Sequence, residues 1–155
     1  MTILRAPTLV AAIGILLSLT GCNEHVIYHS YRYVPEPGWD KRDTILFDID
    51  TVRAEAAYHF ALGLRSTDSY PYAVIWLAVE RRFSHPDTLH RDTVKCQLMD
   101  SVTHRMGKGI YRYQYDVSLP PMTLHHGQTG QVRIIHLMQR EVLPGIRDVG
   151  ILISR

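Results

Sequence analysis

The chain has 155 residues, 17 Lys+Arg against 15 Asp+Glu, nine histidines and two cysteines. Charge this evenly balanced, with no Lys/Arg cluster, argues against a nucleic-acid groove or a polybasic membrane patch. The length suits one domain with an adequate core.

The first element is an export signal. A short leader carries Arg5, and the run Leu9 to Leu19, "LVAAIGILLSL", is apolar. That run has the length of a signal-peptide hydrophobic region and is too short to span a hydrocarbon core of roughly 30 Å. It stops on Leu19-Thr20-Gly21-Cys22, which resembles the bacterial lipobox. There the bond between Gly21 and Cys22 is cleaved and the Cys thiol carries a diacylglyceryl group. The competing readings are a buried helix or a plain signal peptide with a chance cysteine. Each buried methylene adds roughly 0.8 kcal/mol of membrane affinity and a single chain holds only marginally, so an acylated Cys22 with two or three chains would be a stable anchor without a transmembrane helix. The expected organisation is a cleaved signal over 1–21, a lipidated tether over 22–25 and a single domain over 26–155. Only Cys96 is then left, so no intramolecular disulfide is expected.

Beyond the tether the chain reads as strands. "HVIYHSYRYV" is rich in aromatic and β-branched residues, and "PEPGW" breaks it. In "TILFDID", Ile45, Phe47 and Ile49 alternate with Leu46, Asp48 and Asp50, the pattern of a strand with one wet face. "AAYHFALGLR" places Tyr58, Phe60, Leu62 and Leu64 on one side. "PYAVIWLAVE" is apolar nearly throughout, as expected of a strand covered on both faces or central in a sheet. "DTVKCQL" puts Cys96 in phase with Val94 and Leu98, hence in the core. "IYRYQYDVSL" has Tyr111, Tyr113 and Tyr115 in phase and predicts a largely buried tyrosine stripe. "GQVRIIHLMQ" and "DVGILIS" complete the set. In "LMQREVLPG" a short helix or turn is expected, ended by Pro144-Gly145. About eight strands with turn-rich connectors and no helical period predict an all-β antiparallel sandwich of jelly-roll type.

Catalytic and metal chemistry find little support. His25 and His29 would lie roughly 13 Å apart on a strand, and His125-His126 has no third ligand at a fixed spacing. Asp48 and Asp50 share a strand face, but "DIDTVRAEAA" lacks the pattern of a calcium loop. Gly107-Lys108-Gly109 lacks a phosphate loop's length and hydroxyl, and reads as a turn or bulge. No hydrolase or zinc motif occurs. No metal, cofactor, small-molecule substrate or catalytic residue is therefore expected. The remaining candidates are aromatics at strand ends, Trp39, Tyr70, Tyr72 and Trp76, able to form a protein interface or stack on sugars. Filling the core is the other reading of the same side chains.

The order of these pieces resembles the gliding-motility lipoprotein GldH family of Bacteroidetes. The resemblance runs from Cys22 through "VIYHSYRYVPEPGWDKRDTILFDI", "LGLRSTDSYPYAVIWLAV" and "LMDSVTHRMGKGIYRYQY" to "MQREVLPGIRDVGILI". Val74 departs from the family pattern, where an Asn often stands, and "HRMGKG" lacks an aromatic before its glycines. The resemblance implies a non-catalytic envelope lipoprotein that serves movement over surfaces, beside the machinery that moves and exports adhesins. Its partners would be gliding or secretion-machinery proteins and the membrane itself. Asn23 is not the Asp that retains lipoproteins in the inner membrane, and the tether has one acidic residue, so an outer-membrane protein facing the periplasm is expected. A lectin-like module for a glycan or lipid is the second expectation, and an uncharted hydrolase the third.

Overall fold

The computed structural model describes residues 25–100 and 104–155; the Gly21-Cys22 cleavage and lipidation site lies outside them. Among the described residues there is no helix, and no segment is a helix long and apolar enough to cross a membrane. Ten strands form: β1 Val26–Tyr33, β2 Trp39–Asp40, β3 Ile45–Ile49, β4 Ala56–Ser66, β5 Val74–Phe83, β6 Thr88–Gln97, β7 Tyr113–Leu124, β8 Gly130–His136, β9 Val142–Leu143 and β10 Ile146–Ser154. The eight long ones are those read from the sequence. The two-residue β2 and β9 were not foreseen.

Two four-stranded sheets run β1-β10-β4-β7 and β3-β8-β5-β6, with β2-β9 as a small clip. Every long pairing is antiparallel. With the clip set aside, first and last strands pair and the chain crosses between sheets as a jelly roll does. The expected fold class holds.

Period-two patterning builds the core. Phe47 and Ile49, then Tyr58, Phe60, Leu62 and Leu64, then Ile75, Leu77 and Val79 all point between the sheets and are buried. Val94, Cys96 and Leu98 face the same space, and burial pushes the Cys96 thiol up to about 12. Each such large apolar side chain contributes roughly 1.5–3 kcal/mol when it is fully removed from water. A guanidinium is buried with them. Arg81, in phase with Val79 and Phe83, is fully buried. It donates to the Pro120 carbonyl on β7 and to Asp92 on β6, both at 2.7 Å, and lies 4.8 Å over the Phe60 ring.

Two expectations are narrowed and one is corrected. Of the two readings of β5 the central one holds, between β8 and β6; it is not covered on both faces, since Trp76 points outward into solvent. The residues expected as a helix or turn form no helix: bends at 139–141 lead into β9, where Leu143 pairs in register with Trp39, and the turn follows at Pro144-Gly145. The tyrosine stripe breaks: β7 begins at Tyr113, Tyr115 is buried, and Tyr111 is 80% exposed.

The topology sorts the connections. Segments 34–44, 67–73, 98–100, 104–112 and 137–145 lie at one end of the sandwich. The shorter 50–55, 84–87 and 125–129 lie at the other, with the start of β1 and the end of β10.

Candidate interaction surface

The four aromatics singled out in the sequence have two fates. Trp39 is 1% exposed; its Nε1–H donates to the Asp43 carbonyl at 3.0 Å, and its ring meets His136 edge-on at 5.4 Å. Tyr70 is equally buried, its hydroxyl donating to the Val74 carbonyl at 3.0 Å, and burial pushes its phenol well above the ordinary value. Both fasten loops to the core, so neither belongs to a surface. An indole or phenol with one polar edge suits that task, since its ring fills the core while its N–H or O–H satisfies a turn carbonyl. Tyr72 and Trp76 stay exposed, Tyr72 standing edge-on to Tyr70 at 5.7 Å.

The long-loop end carries more apolar surface than the sequence suggested. Tyr33, Met106, Ile110 (78% exposed), Tyr111 and Leu137 are all solvent-facing there, beside Tyr72 and Trp76. Met138 folds under Trp76, its sulfur 3.5 Å from the Trp76 backbone nitrogen. The loop bearing Ile110 and Tyr111 is held in place. Arg105 donates to Asp68 Oδ1 at 3.1 Å and to the carbonyls of Asp68 and Tyr70 at 3.0 and 3.2 Å, and packs 5.1 Å over Tyr113. Lys108 and Gln114 exchange both backbone bonds. They close the foreseen turn, in which Gly109 takes φ 135°, a conformation open to glycine. No local sequence signal set Ile110 and Tyr111 apart, since Tyr111 is in phase with Tyr113 and Tyr115 and only the structure starts β7 at Tyr113.

Next to this end, the outward face of β6-β5-β8 is laid out in rows. Trp76 pairs with Lys95; Ala78 lies between Thr93 and Ile135; Glu80 lies between Arg91 and Arg133. The small Ala78 leaves a hollow of about 480 Å³ between the Leu137 wall and the charged row. Arg91 donates to Glu80 at 2.9 Å. Among the described residues the Arg133 side chain has no hydrogen bond or ion pair, and the Lys95 ammonium has only its position 5.9 Å over the Trp76 ring.

Two titratable groups mark the β2–β9 clip. His136 is buried, neither ring nitrogen makes a hydrogen bond of ordinary geometry, and burial holds its pKa below the usual imidazole value. Asp40 accepts from the Arg42 side chain and backbone, which hold its carboxyl at about 2. Elsewhere Asp48 accepts from Gln131 at 2.8 Å and His125 contacts Glu55 at 3.1 Å. Among the described residues no group of three or more His, Cys, Asp or Glu is arranged to hold a metal.

Fold and surface together define a jelly-roll sandwich with a short-loop end at the start of β1, where Val26 and Ile27 are exposed beside polar turns, and an aromatic end opposite. The model of the GldH lipoproteins matches residues 26–153. The chain belongs to the GldH lipoprotein family, which makes it an envelope lipoprotein. No curated protein matches the chain. Among solved structures it is similar to a family 35 carbohydrate-binding module from Clostridium thermocellum, at 13% identity over 79% of this chain and 78% of that one, TM-score 0.45. It is also similar to the Eiger TNF of S. frugiperda, at 13% identity over 83% and 92%, TM-score 0.33. Neither likeness is close enough to bear on function.

Proposed function

We propose that this protein is a non-catalytic structural or accessory subunit of the gliding-motility and type IX secretion-associated machinery. It is anchored by lipidated Cys22 in the outer membrane, faces the periplasm, and docks partner proteins with its aromatic end. The observation that carries the reading is the placement of exposed apolar side chains. Tyr33, Met106, Ile110, Tyr111 and Trp76 all lie at the end remote from Val26, where β1 begins. Apolar groups that a stable fold leaves in water at one place mark interaction sites. Cys22 precedes β1 by so few residues that, at about 3.3–3.6 Å each, the tether can reach at most about 14 Å. The short-loop end therefore faces the bilayer. Strands of about ten residues then hold the aromatic end roughly 30 Å further out. Membership in a family of lipoproteins that is not an enzyme family supports the non-catalytic part.

The test is mild-detergent co-purification of the tagged protein from native membranes, against Cys22→Ser. Stoichiometric enrichment of motility or secretion components with the wild type, and their loss together with membrane attachment in Cys22→Ser, is the expected result. A Cys22→Ser protein that stays membrane-bound and fully functional would overturn the anchor. Wild-type protein recovered alone would overturn the subunit role.

A further inference from the structure

Separately from the aromatic end, we infer that the hollow over Ala78 is a binding site for a carboxylate-bearing sugar residue of an acidic glycan. Its size comes first: about 480 Å³ falls within the range of small-ligand sites, and it is closed at either side along β5. Leu137 lines it toward the loop end, beyond which Trp76 occupies the next outward row of β5, and the Arg91–Glu80–Arg133 row lines it toward the other. The hollow is thus one outward residue wide along the strand, which suits a ring and not a flat protein face. Its floor, Ala78 and Ile135, is apolar, as the hydrophobic face of a pyranose requires, and the hydroxyls of Thr44 and Thr93 line its sides.

Charge then selects among sugars. Glu80 is flanked by two guanidiniums but is bonded to Arg91 alone, at 2.9 Å. Arg133 remains without a partner, exposed at the rim. Asp92, the other carboxylate of the hollow, is engaged from the inner side by Arg81 at 2.7 Å. The row therefore carries one positive charge more than it neutralises, and Lys95 adds another beside Trp76. A guanidinium binds a carboxylate through two parallel hydrogen bonds, which fixes the orientation of a planar acid. A neutral sugar would leave that donor pair unused.

The experiment is calorimetric titration of the protein, purified from membranes in detergent, with oligogalacturonate and oligo-N-acetylneuraminate. Maltohexaose and hexaglutamate serve as the neutral-sugar and acidic-peptide probes. Saturable binding of at least one acidic oligosaccharide is expected, with maltohexaose and hexaglutamate much weaker. Arg133→Gln should weaken it about tenfold, the factor that corresponds to loss of a charge-assisted hydrogen bond. Ala78→Leu, which fills the hollow from an outward-facing position, should abolish it. Arg82→Gln, one row beyond the hollow on the same face, should leave it unchanged. Failure of both acidic probes would overturn the inference, as would hexaglutamate or maltohexaose binding as well as they do. Partner co-purification is read independently and should survive Ala78→Leu, so the two proposals fail separately.

Discussion

The two ends of the sandwich solve the same closure problem with different residues. At the end near Val26, short connections are fastened by polar groups: Ser84 to Thr129, Gln128 to the Pro86 carbonyl, and His125 to Glu55. Histidines gather there, with His25, His85, His125 and His126 in or beside those turns. At the other end the connections are longer, and buried aromatic rings pin them. Trp39 caps the β2–β9 clip, Tyr70 holds the β4–β5 turn, and Arg105 ties the β6–β7 loop to that turn. Those rings suffice to hold the loops. Ile110, Tyr111, Met106 and Tyr33 lie outside them in water, so the fold does not explain their presence. Burial is thus what separates an aromatic that builds the end from one that is offered by it.

The largest effect should come from a building aromatic. Trp39→Ala removes a fully buried indole and its bond to Asp43, and should cost about 3–5 kcal/mol in denaturant unfolding. The paired change at an offered position, Tyr111→Asp, should stay within about 0.5 kcal/mol. Equal losses from the two would erase the distinction between building and offered side chains.

A smaller effect concerns pH. Folding lowers the pKa of His136, so below about 6.5, the unperturbed value, the unfolded chain binds a proton that the folded chain refuses. Stability is fully present above that value and falls as pH drops from it toward the lowered folded pKa. His136→Phe should flatten the stability profile in that window, measured by thermal unfolding between pH 7 and 5. Asp40 acts in a separate window, its contribution being present above about 3.8 and lost as pH falls toward 2. An unchanged slope in His136→Phe would mean that the clip is not the site of the proton linkage.

Most of the fold was legible in the sequence because period-two alternation and turn residues are local signals. All eight long strands follow from it, as does the burial of Cys96 with Val94 and Leu98. The β2–β9 clip was not legible, since two-residue strands have no period and their pairing of Trp39 with Leu143 spans most of the chain. Arg81 was within reach: it continues the Ile75, Leu77, Val79 phase, but a charged residue at the end of an apolar run reads as a strand terminus. The surface was half legible. Local sequence marks Trp39, Tyr70, Tyr72 and Trp76 as aromatics near turns, but which of them is covered depends on loops brought from elsewhere in the chain. Arg133 shows the same limit, since its lack of a partner is a fact about three strands at once.

The account rests most on the division between the two ends, and one measurement addresses it directly. Partner recovery from native membranes should be compared between an aromatic-end variant, Ile110→Asp with Tyr111→Asp, and a short-loop-end variant, His126→Asp with Thr129→Asp. Both should be matched for membrane attachment and unfolding midpoint. Loss of partners in the first variant with full recovery in the second is the predicted result. Retention in the first, or loss only in the second, would contradict the assignment of the aromatic end as the docking surface.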